Sequence, residues 1–308
     1  MTEQQGFKAL THEGRLRSER SLNLPSYHFA VNCQLSTVNC LTRLVMLSNI
    51  VAIYRKELQS YFASPLAYAI AAVFWLITGY FLIAILLAPD GLIPQIAQRD
   101  QMGITEPAID VAYEFLQLFL RIMGSLSLFV LPALSMGLYA EERKRGTLEL
   151  LATSPLTNWA VATGKLLGVL TFYTTMLLPL LFCEAIALSS STPPVPSGVL
   201  LLGHGGLILL AAGVLSLGMF ISSLTDSTIL SAILTFALVL FLWVIDAAAV
   251  GIGGPFGAAL GQLSLLTHYT NLVKGVFDTS SLIMFASYII LGVFLTAQSI
   301  DALRYQRS

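Results

Sequence analysis

The chain has 308 residues, of which 56% are hydrophobic and only 11% are charged. Soluble domains carry about 25% charged residues, so the composition excludes an ordinary soluble domain and indicates a polytopic membrane protein. A net charge of −1 gives no reason to expect a nucleic-acid partner. The three cysteines form no CxxC or Cys/His cluster, so neither a metal site nor a disulfide framework is predicted.

Residues 1–45 are polar, basic and without sustained periodicity. A segment that cannot bury apolar surface is predicted to be a disordered cytoplasmic tail, and its first 30 residues lack the apolar core of a signal peptide. A second interpretation is that translation starts at Met46, because regular sequence begins directly after it. Residues 46–308 are then one membrane domain on either interpretation.

Residues 47–63 are predicted to form an amphipathic helix. Its apolar side carries Ile50, Tyr54, Leu58, Tyr61 and Phe62. Its polar side carries Arg55, Lys56, Glu57 and Gln59. A short helix of this kind lies in the membrane interface rather than across the bilayer, and its basic residues favour the cytoplasmic leaflet.

Six later segments are apolar and long enough to cross a hydrocarbon core of about 30 Å, which needs about 20 residues. The predicted spans are 64–88, 117–139, 165–188, 199–222, 228–250 and 281–300. The fold class is therefore an all-α integral membrane protein with six transmembrane helices, an N-terminal interfacial helix and a short helix in the loop after span 2.

The basic residues are distributed unevenly between the two sides of this topology. With the N-terminus inside, 13 of the 16 Lys and Arg residues lie in cytoplasmic segments, against Arg99, Arg121 and Lys274 outside. Cytoplasmic loops are enriched in Lys and Arg. The pattern predicts a multi-pass protein of the plasma membrane with both termini in the cytoplasm.

Three charged residues lie near the outer ends of predicted spans: Arg121, Glu184 and Asp246. Because embedded charges need a partner or water, an ion pair or a polar outer vestibule is one interpretation. The other is that all three lie at the level of the lipid headgroups.

The sequence contains no recognisable catalytic site. Gly164-Lys165 is followed by Leu166, and Trp159 occupies the position of the first glycine of a phosphate-binding loop. His12, His28, His204 and His268 are isolated from one another and from nucleophiles. The chain is not expected to be an enzyme by itself.

The loop between spans 2 and 3 has the densest charge cluster in the chain, formed by Glu141, Glu142, Arg143, Lys144 and Arg145. Gly146 ends the charged turn, and Thr147 can cap a short helix that contains Leu148, Glu149, Leu150 and Leu151. Exposed leucines beside charges suit a rigid surface on which a cytoplasmic partner docks. The alternative is a loop that lies on lipid.

Four strings in this order resemble ABC-2 type transporter permeases: YRKELQSYFASPLAY (54–68), EERKRGTLELLATSPLT (141–157), GMFISSLTDS (218–227) and THYTNLVKGVFDTSS (267–281). The resemblance covers about residues 46–308. Within the family, the chain is most similar to the permeases associated with gliding motility and with maturation of nitrous-oxide reductase.

The resemblance implies a bacterial inner-membrane exporter in which this chain pairs with a second copy or a homologous permease and with cytoplasmic ABC ATPase subunits. ATP and Mg²⁺ would bind in the ATPase, and this chain would hold no cofactor. Residues 54–63 would form the connecting helix, 141–154 the helix that couples to the ATPase, and the 251–280 loop the external gate. The substrate does not carry over.

Two other functions remain open from the sequence. A secondary transporter or channel would need no ATPase and would depend on an ion gradient, with Glu184 or Asp246 as the coupling residue. A membrane scaffold would tolerate substitutions at all of the charged positions. Co-purification with a P-loop ATPase distinguishes the exporter from both.

Overall fold

The computed structural model describes residues 46–103, 110–148, 156–189, 191 and 194–305. Contacts divide the chain into two units, Met1–Ser48 and Asn49–Ser308. The N-terminal tail, Glu149–Pro155 and the last three residues lie outside the described part. The predictions for residues 1–45, for Glu149 and for Leu150 therefore stay predictions.

The described residues form helices and no strands. Residues 46–63 form helix α1. The other helices are α2 (Pro65–Leu87), α3 (Leu92–Gln101), α4 (Val111–Ser135), α5 (Gly137–Lys144), α6 (Asn158–Leu188), α7 (Ser197–Leu224), α8 (Thr228–Ile252), α9 (Gly254–Gln262), α10 (Leu265–Val273) and α11 (Thr279–Tyr305). Six helical segments are long and apolar enough to cross a membrane, which confirms the predicted fold class.

Helix α7 lies at the centre of the bundle. Of the 18 most apolar consecutive residues of α7, 78% are buried, compared with 22% for the segment that begins with α2 and 17% for α8. Close approach to α7 depends on small residues: a Cβ at Gly218 would collide with Ser135 of α4, and a Cβ at Gly292 of α11 would collide with Ser216. Small residues let membrane helices pack closely, so α7 is the helix on which α4 and α11 are assembled.

The second span is interrupted. Pro132 lies inside α4, and the chain turns at Met136 before α5 begins. Proline removes a backbone donor and disturbs the preceding turn of a helix. Met136 itself keeps a helical backbone (φ −57°, ψ −36°), so α4 and α5 follow one another within one candidate span, Val111–Lys144, with an interruption at Met136.

The glycine-rich segment 251–280 forms two short helices. Gly253 and Gly254 have φ values of +62° and +64°, which L side chains rarely adopt, and they reverse the chain between α8 and α9. Helix α10 then packs inward, and the Tyr269 hydroxyl donates a hydrogen bond to the Leu120 carbonyl at 2.5 Å. The segment is thus part of the packed bundle at the end where α6 terminates.

Candidate functional site

Helix α1 packs against a glycine notch on α6. A Cβ at Gly164 would lie 2.9 Å from Ile53 Cβ, and a Cβ at Gly168 would lie 2.7 Å from Glu57 Cβ. The two glycines are four residues apart and so share one helix face. Because neither carries a side chain, α1 can approach α6 closely enough to bury Glu57.

Glu57 corrects the prediction for the amphipathic helix. The sequence placed it on the polar side, but it is buried, with a relative accessibility of 8%. Arg55 and Lys56 are exposed as predicted for the polar side, while Tyr54 and Leu58 are half-buried. The prediction for Glu57 was wrong because its ion-pair partner lies on another helix.

That partner is Lys165, whose side chain is only 2% exposed. Its ammonium group donates to Glu57 Oε1 at 2.7 Å, to Glu142 Oε1 at 3.0 Å and to the Leu138 carbonyl at 2.8 Å. A lysine has three N–H donors, so all three are used. We call Lys165, Glu57, Glu142 and Leu138 the lysine junction; it connects α1, α5 and α6.

Two further contacts complete the lysine junction. The Tyr139 ring lies 5.0 Å from the Lys165 nitrogen, which is within the range of a cation–π interaction. Lys56 lies 3.3 Å from Glu142 Oε1, but its side chain is 68% exposed. Exposed ion pairs contribute little to stability, so the buried lysine holds the junction and Lys56 lies at its edge.

The start of α5 is fixed to the end of α7 by Ser222. Its hydroxyl accepts from the Tyr139 and Ala140 amides at 3.1 and 3.0 Å and donates to the Met136 carbonyl at 2.8 Å. The first amides of a helix have no partner within that helix, and Ser222 supplies one from α7.

Arg143 makes a second connection between α5 and α7. Its guanidinium donates to the Ser223 carbonyl at 2.9 Å. Together with Ser222, this contact means that α5 is bonded to α7 as well as to α6 and α1.

Beyond these bonds, α5 presents an exposed tip formed by Glu141, Lys144, Arg145, Gly146 and Thr147. Glu141 and Arg145 form an ion pair at 3.3 Å across one helical turn. Gly146 has a φ of +70° and ends the helix, as the sequence predicted. The Thr147 hydroxyl donates to the Glu142 carbonyl at 3.2 Å, so the tip is ordered up to the last described residues.

Leu148 requires a correction. The sequence predicted exposed leucines as a docking surface, but Leu148 is 5% exposed and belongs to the hydrophobic core. Because this chain itself covers Leu148, its side chain is not available to a partner. The exposed groups in the described part of the loop are polar and charged.

A polar cleft of about 300 Å³ opens beside the lysine junction, between α1, α5 and α6. Its polar walls include Lys56, Glu57, Ser60, Glu141, Glu142 and Lys165.

Next to the cleft, the Tyr61 hydroxyl donates to the Leu134 carbonyl at 2.6 Å. Burial, with the negative charges of Glu57 and Glu141, raises the pKa of Tyr61 far above its usual value. Tyr61 is therefore a permanently neutral hydrogen-bond donor that connects α1 to the end of α4.

Two of the three charged residues predicted for the outer vestibule, Arg121 and Glu184, lie in different surroundings. Arg121 is exposed and bonds Gln117 of its own helix at 3.4 Å. Glu184 is fully buried and lies 3.4 Å from His204, which the sequence analysis treated as isolated. The Asp246 side chain lies outside the described part. Arg121 is exposed on α4 whereas Glu184 is buried on α6, so these two described side chains do not form an ion pair, and the role of Asp246 stays a prediction.

The sequence analysis also missed Lys165, Tyr139 and Ser222 as site residues. It counted Lys165 only as a cytoplasmic charge. The available signal was the string G-K-L-L-G at 164–168, in which a lysine lies beside two glycines that share a helix face. Ser222 lies in the 218–227 string that resembled a known family, but that resemblance gave it no role.

Among the described residues, no group of three or more His, Cys, Asp or Glu side chains is arranged to hold a metal ion. A search of curated proteins finds no match to the chain. The family model described as "ABC-2 family transporter protein" matches residues 51–307. This match covers most of the chain and confirms the family resemblance, without reaching the subfamily. The chain therefore belongs to the ABC-2 family of transporter membrane proteins.

Proposed function

We propose that this chain is the permease subunit of an ATP-driven exporter and that a separate cytoplasmic ATPase acts on the exposed tip of α5. The observation that carries the proposal is the lysine junction. It bonds the helix that bears the exposed charges to α1 and α6, and α5 is also bonded to α7. ATP and Mg²⁺ would bind in the ATPase.

The proposed coupling follows from the strength of the buried contacts relative to the exposed ones. Breaking a buried ion pair by removing one partner costs about 3–5 kcal/mol, whereas an exposed pair such as Glu141–Arg145 contributes about 0.3–0.5 kcal/mol. A partner can therefore exchange the contacts of the tip at little cost. If it then displaces α5, the lysine junction moves α1 and α6 with it rather than breaking.

A second permease copy would cover one face of the bundle. Glu114, Leu118, Arg121, Ser125 and Phe129 form an exposed stripe along α4. Their spacing of three or four residues places them on one helix face. Charged side chains within membrane proteins usually face protein or a water-filled cavity, so the outer part of the stripe, with Glu114 and Arg121, is better placed against protein and water than against lipid.

The neighbouring helices support the same face. Helices α2 and α8 both contact α4 and are the least buried of the six spans. We propose that a second copy of this chain packs here, so that the two α4 stripes line a shared polar path. This proposal has three further parts: export as the direction of transport, an inner-membrane location with both termini in the cytoplasm, and kinship with the gliding-motility and nitrous-oxide-reductase-maturation permeases. They are supported by the sequence motifs and the charge distribution.

The alternative is an ATPase-independent secondary transporter or channel. The observation that favours it is the buried Glu184–His204 contact, since ionisable groups inside membrane proteins often belong to proton or ion pathways. This alternative gives no role to the exposed tip of α5, and for that reason we place it second.

The test is a pull-down of tagged full-length protein from detergent-solubilised membranes, with the recovered partners identified by mass spectrometry. The variant is the double exchange Glu141→Arg, Arg145→Glu, which keeps the net charge and the ion pair but reverses its direction. Asp100→Lys, an exposed substitution on α3, is the control. We expect a P-loop ATPase with the wild type and with the control, and its loss with the double exchange.

Recovery of the ATPase with all three proteins would show that the tip is not the docking surface. Absence of an ATPase from the wild type, even after crosslinking, would overturn the ATP-driven proposal. In that case, dependence of transport on an ion gradient would be measured in Glu184→Gln.

A further inference from the structure

A carboxyl–imidazole pair lies buried between α6 and α7, at the opposite end of α6 from the lysine junction. Glu184 is 0% exposed and His204 is 5% exposed. Glu184 Oε1 and His204 Nε2 are 3.4 Å apart. Neither Glu184 oxygen nor His204 Nε2 has a hydrogen-bond partner among the described residues. The exporter mechanism proposed above makes no use of this pair.

The other ring nitrogen fixes where the protons can be. His204 Nδ1 lies 3.0 Å from the Leu200 carbonyl oxygen. A carbonyl can only accept, so Nδ1 carries a proton and donates it. Nε2 is therefore the nitrogen that can exchange a proton with Glu184.

One proton makes the pair neutral overall. It can reside on Glu184, facing a neutral imidazole, or on Nε2, facing a carboxylate. With no proton between them, a buried carboxylate faces a nitrogen lone pair. With two, a buried imidazolium faces a neutral acid. Unpaired charge at a buried site is strongly unfavourable, so the packed arrangement favours one shared proton.

The neighbouring titratable groups cannot replace that proton. Tyr269 of α10 donates its hydroxyl to the Leu120 carbonyl, and burial, Tyr173 and Glu184 raise its pKa well above the usual value. The Tyr173 hydroxyl of α6 is 2.6 Å from the Ser127 hydroxyl. Both phenols are hydrogen-bonded elsewhere, so the charge balance of the site depends on Glu184 and His204.

We propose that Glu184 and His204 form a proton-binding site that holds one proton between α6 and α7. Loss of this proton, or uptake of a second one, weakens the contact between the two helices at that end of the bundle. The site depends only on groups within this chain, so it is independent of whether an ATPase drives the protein.

The test measures the thermal unfolding temperature of the purified full-length protein from about pH 5 to about pH 9, which includes the range of about pH 5–8 in which an unperturbed imidazole titrates. The variants are Glu184→Gln and the double substitution Glu184→Gln, His204→Gln. A glutamine at 184 can still donate to Nε2, so the contact is kept without the exchangeable acid. Glu114→Gln, the same substitution at an exposed position of α4, is the control.

We expect the difference in unfolding temperature between the wild type and the double variant to be greatest at intermediate pH and to fall by several degrees toward both extremes. Glu114→Gln should follow the wild type in parallel. A difference that is constant with pH would overturn the proposal. If the double variant does not fold, Glu184→Gln alone decides: it should lose the decline of the wild type at alkaline pH, and a parallel decline would overturn the proposal.

Discussion

The buried ionisable groups at the two ends of α6 differ in how many partners they have. At one end, Lys165 satisfies all of its donors with two carboxylates and a carbonyl, and the junction extends to the exposed Lys56. At the other end, Glu184 and His204 are buried and share a single contact. The first arrangement is stable through many fixed hydrogen bonds. On our proposal, the second arrangement depends on one proton, and its stability therefore depends on pH.

The largest effect is expected from breaking the lysine junction. Lys165→Met leaves Glu57 and Glu142 without their buried cation and should lower the free energy of unfolding by about 3–5 kcal/mol. Chemical denaturation of the purified protein measures it. Adding Glu57→Gln to Lys165→Met should recover part of the loss, because one uncompensated charge is then removed. A loss below about 1 kcal/mol in the single variant would mean that the junction is not the main connection between α1 and α6.

The next effect concerns Ser222. Ser222→Ala leaves two amides of α5 without an acceptor and should cost about 1–3 kcal/mol, the usual penalty for unsatisfied buried groups. Ser223→Ala is the matched control, because the Ser223 hydroxyl bonds only the Phe220 carbonyl of its own helix among the contacts found. Equal losses for the two variants would contradict a role for Ser222 in fixing α5.

Substitution in the glycine notch should lower stability by an amount similar to, or smaller than, that expected for Ser222→Ala. Gly168→Ala places a methyl group 2.7 Å from Glu57 Cβ, and such overpacking costs about 1–3 kcal/mol. The notch should open, so crosslinking between cysteines introduced in α1 and α6 should decrease. Gly79→Ala, which has nothing within 4 Å of its new Cβ, is the control and should be neutral or slightly stabilising. Unchanged crosslinking in Gly168→Ala would show that α1 does not depend on the notch.

The smallest effect on stability is expected at the exposed tip. Arg145→Ala removes an exposed pair and should change the free energy of unfolding by about 0.3–0.5 kcal/mol. On the proposed function, the same variant should still weaken recovery of the ATPase. A large loss of stability would instead assign Arg145 to the structural part of the site, together with Lys165.

The sequence predicted the spans well because crossing a bilayer is a local property. Apolar runs of sufficient length are enough: α7 and α8 extend only two residues or fewer beyond the predicted segments 199–222 and 228–250 at either end, and α6 contains 165–188 but begins seven residues earlier. Gly146 ends the charged segment as predicted, but Glu141 to Lys144 lie on helix α5 rather than in the turn that the sequence predicted.

The site itself was harder to predict because it depends on the rotation of helices about their axes. Lys165 and Glu57 are 108 residues apart in the sequence, and only packing at the glycine notch turns Glu57 inward. The same reason explains why Glu184 meets His204 rather than Arg121. Leu148 is buried by contacts within this chain. The apolar run around it is too short for its periodicity to show which leucine faces the core.

The break at Met136 has a mechanical consequence. Helix α5 has eight residues, so it is about 12 Å long at about 1.5 Å per residue. If it pivots at Met136, a rotation of about 10° carries the Arg145 end through about 2 Å. At that rise, the contacts at Leu138, Tyr139 and Ala140 lie about 3–6 Å from the pivot, on less than half the radius of Arg145, whereas the Glu142 contact lies further out. Rotation of α5 would therefore convert a movement of about 2 Å at the Arg145 end into a smaller displacement, with greater force, where α5 contacts α6 and α7.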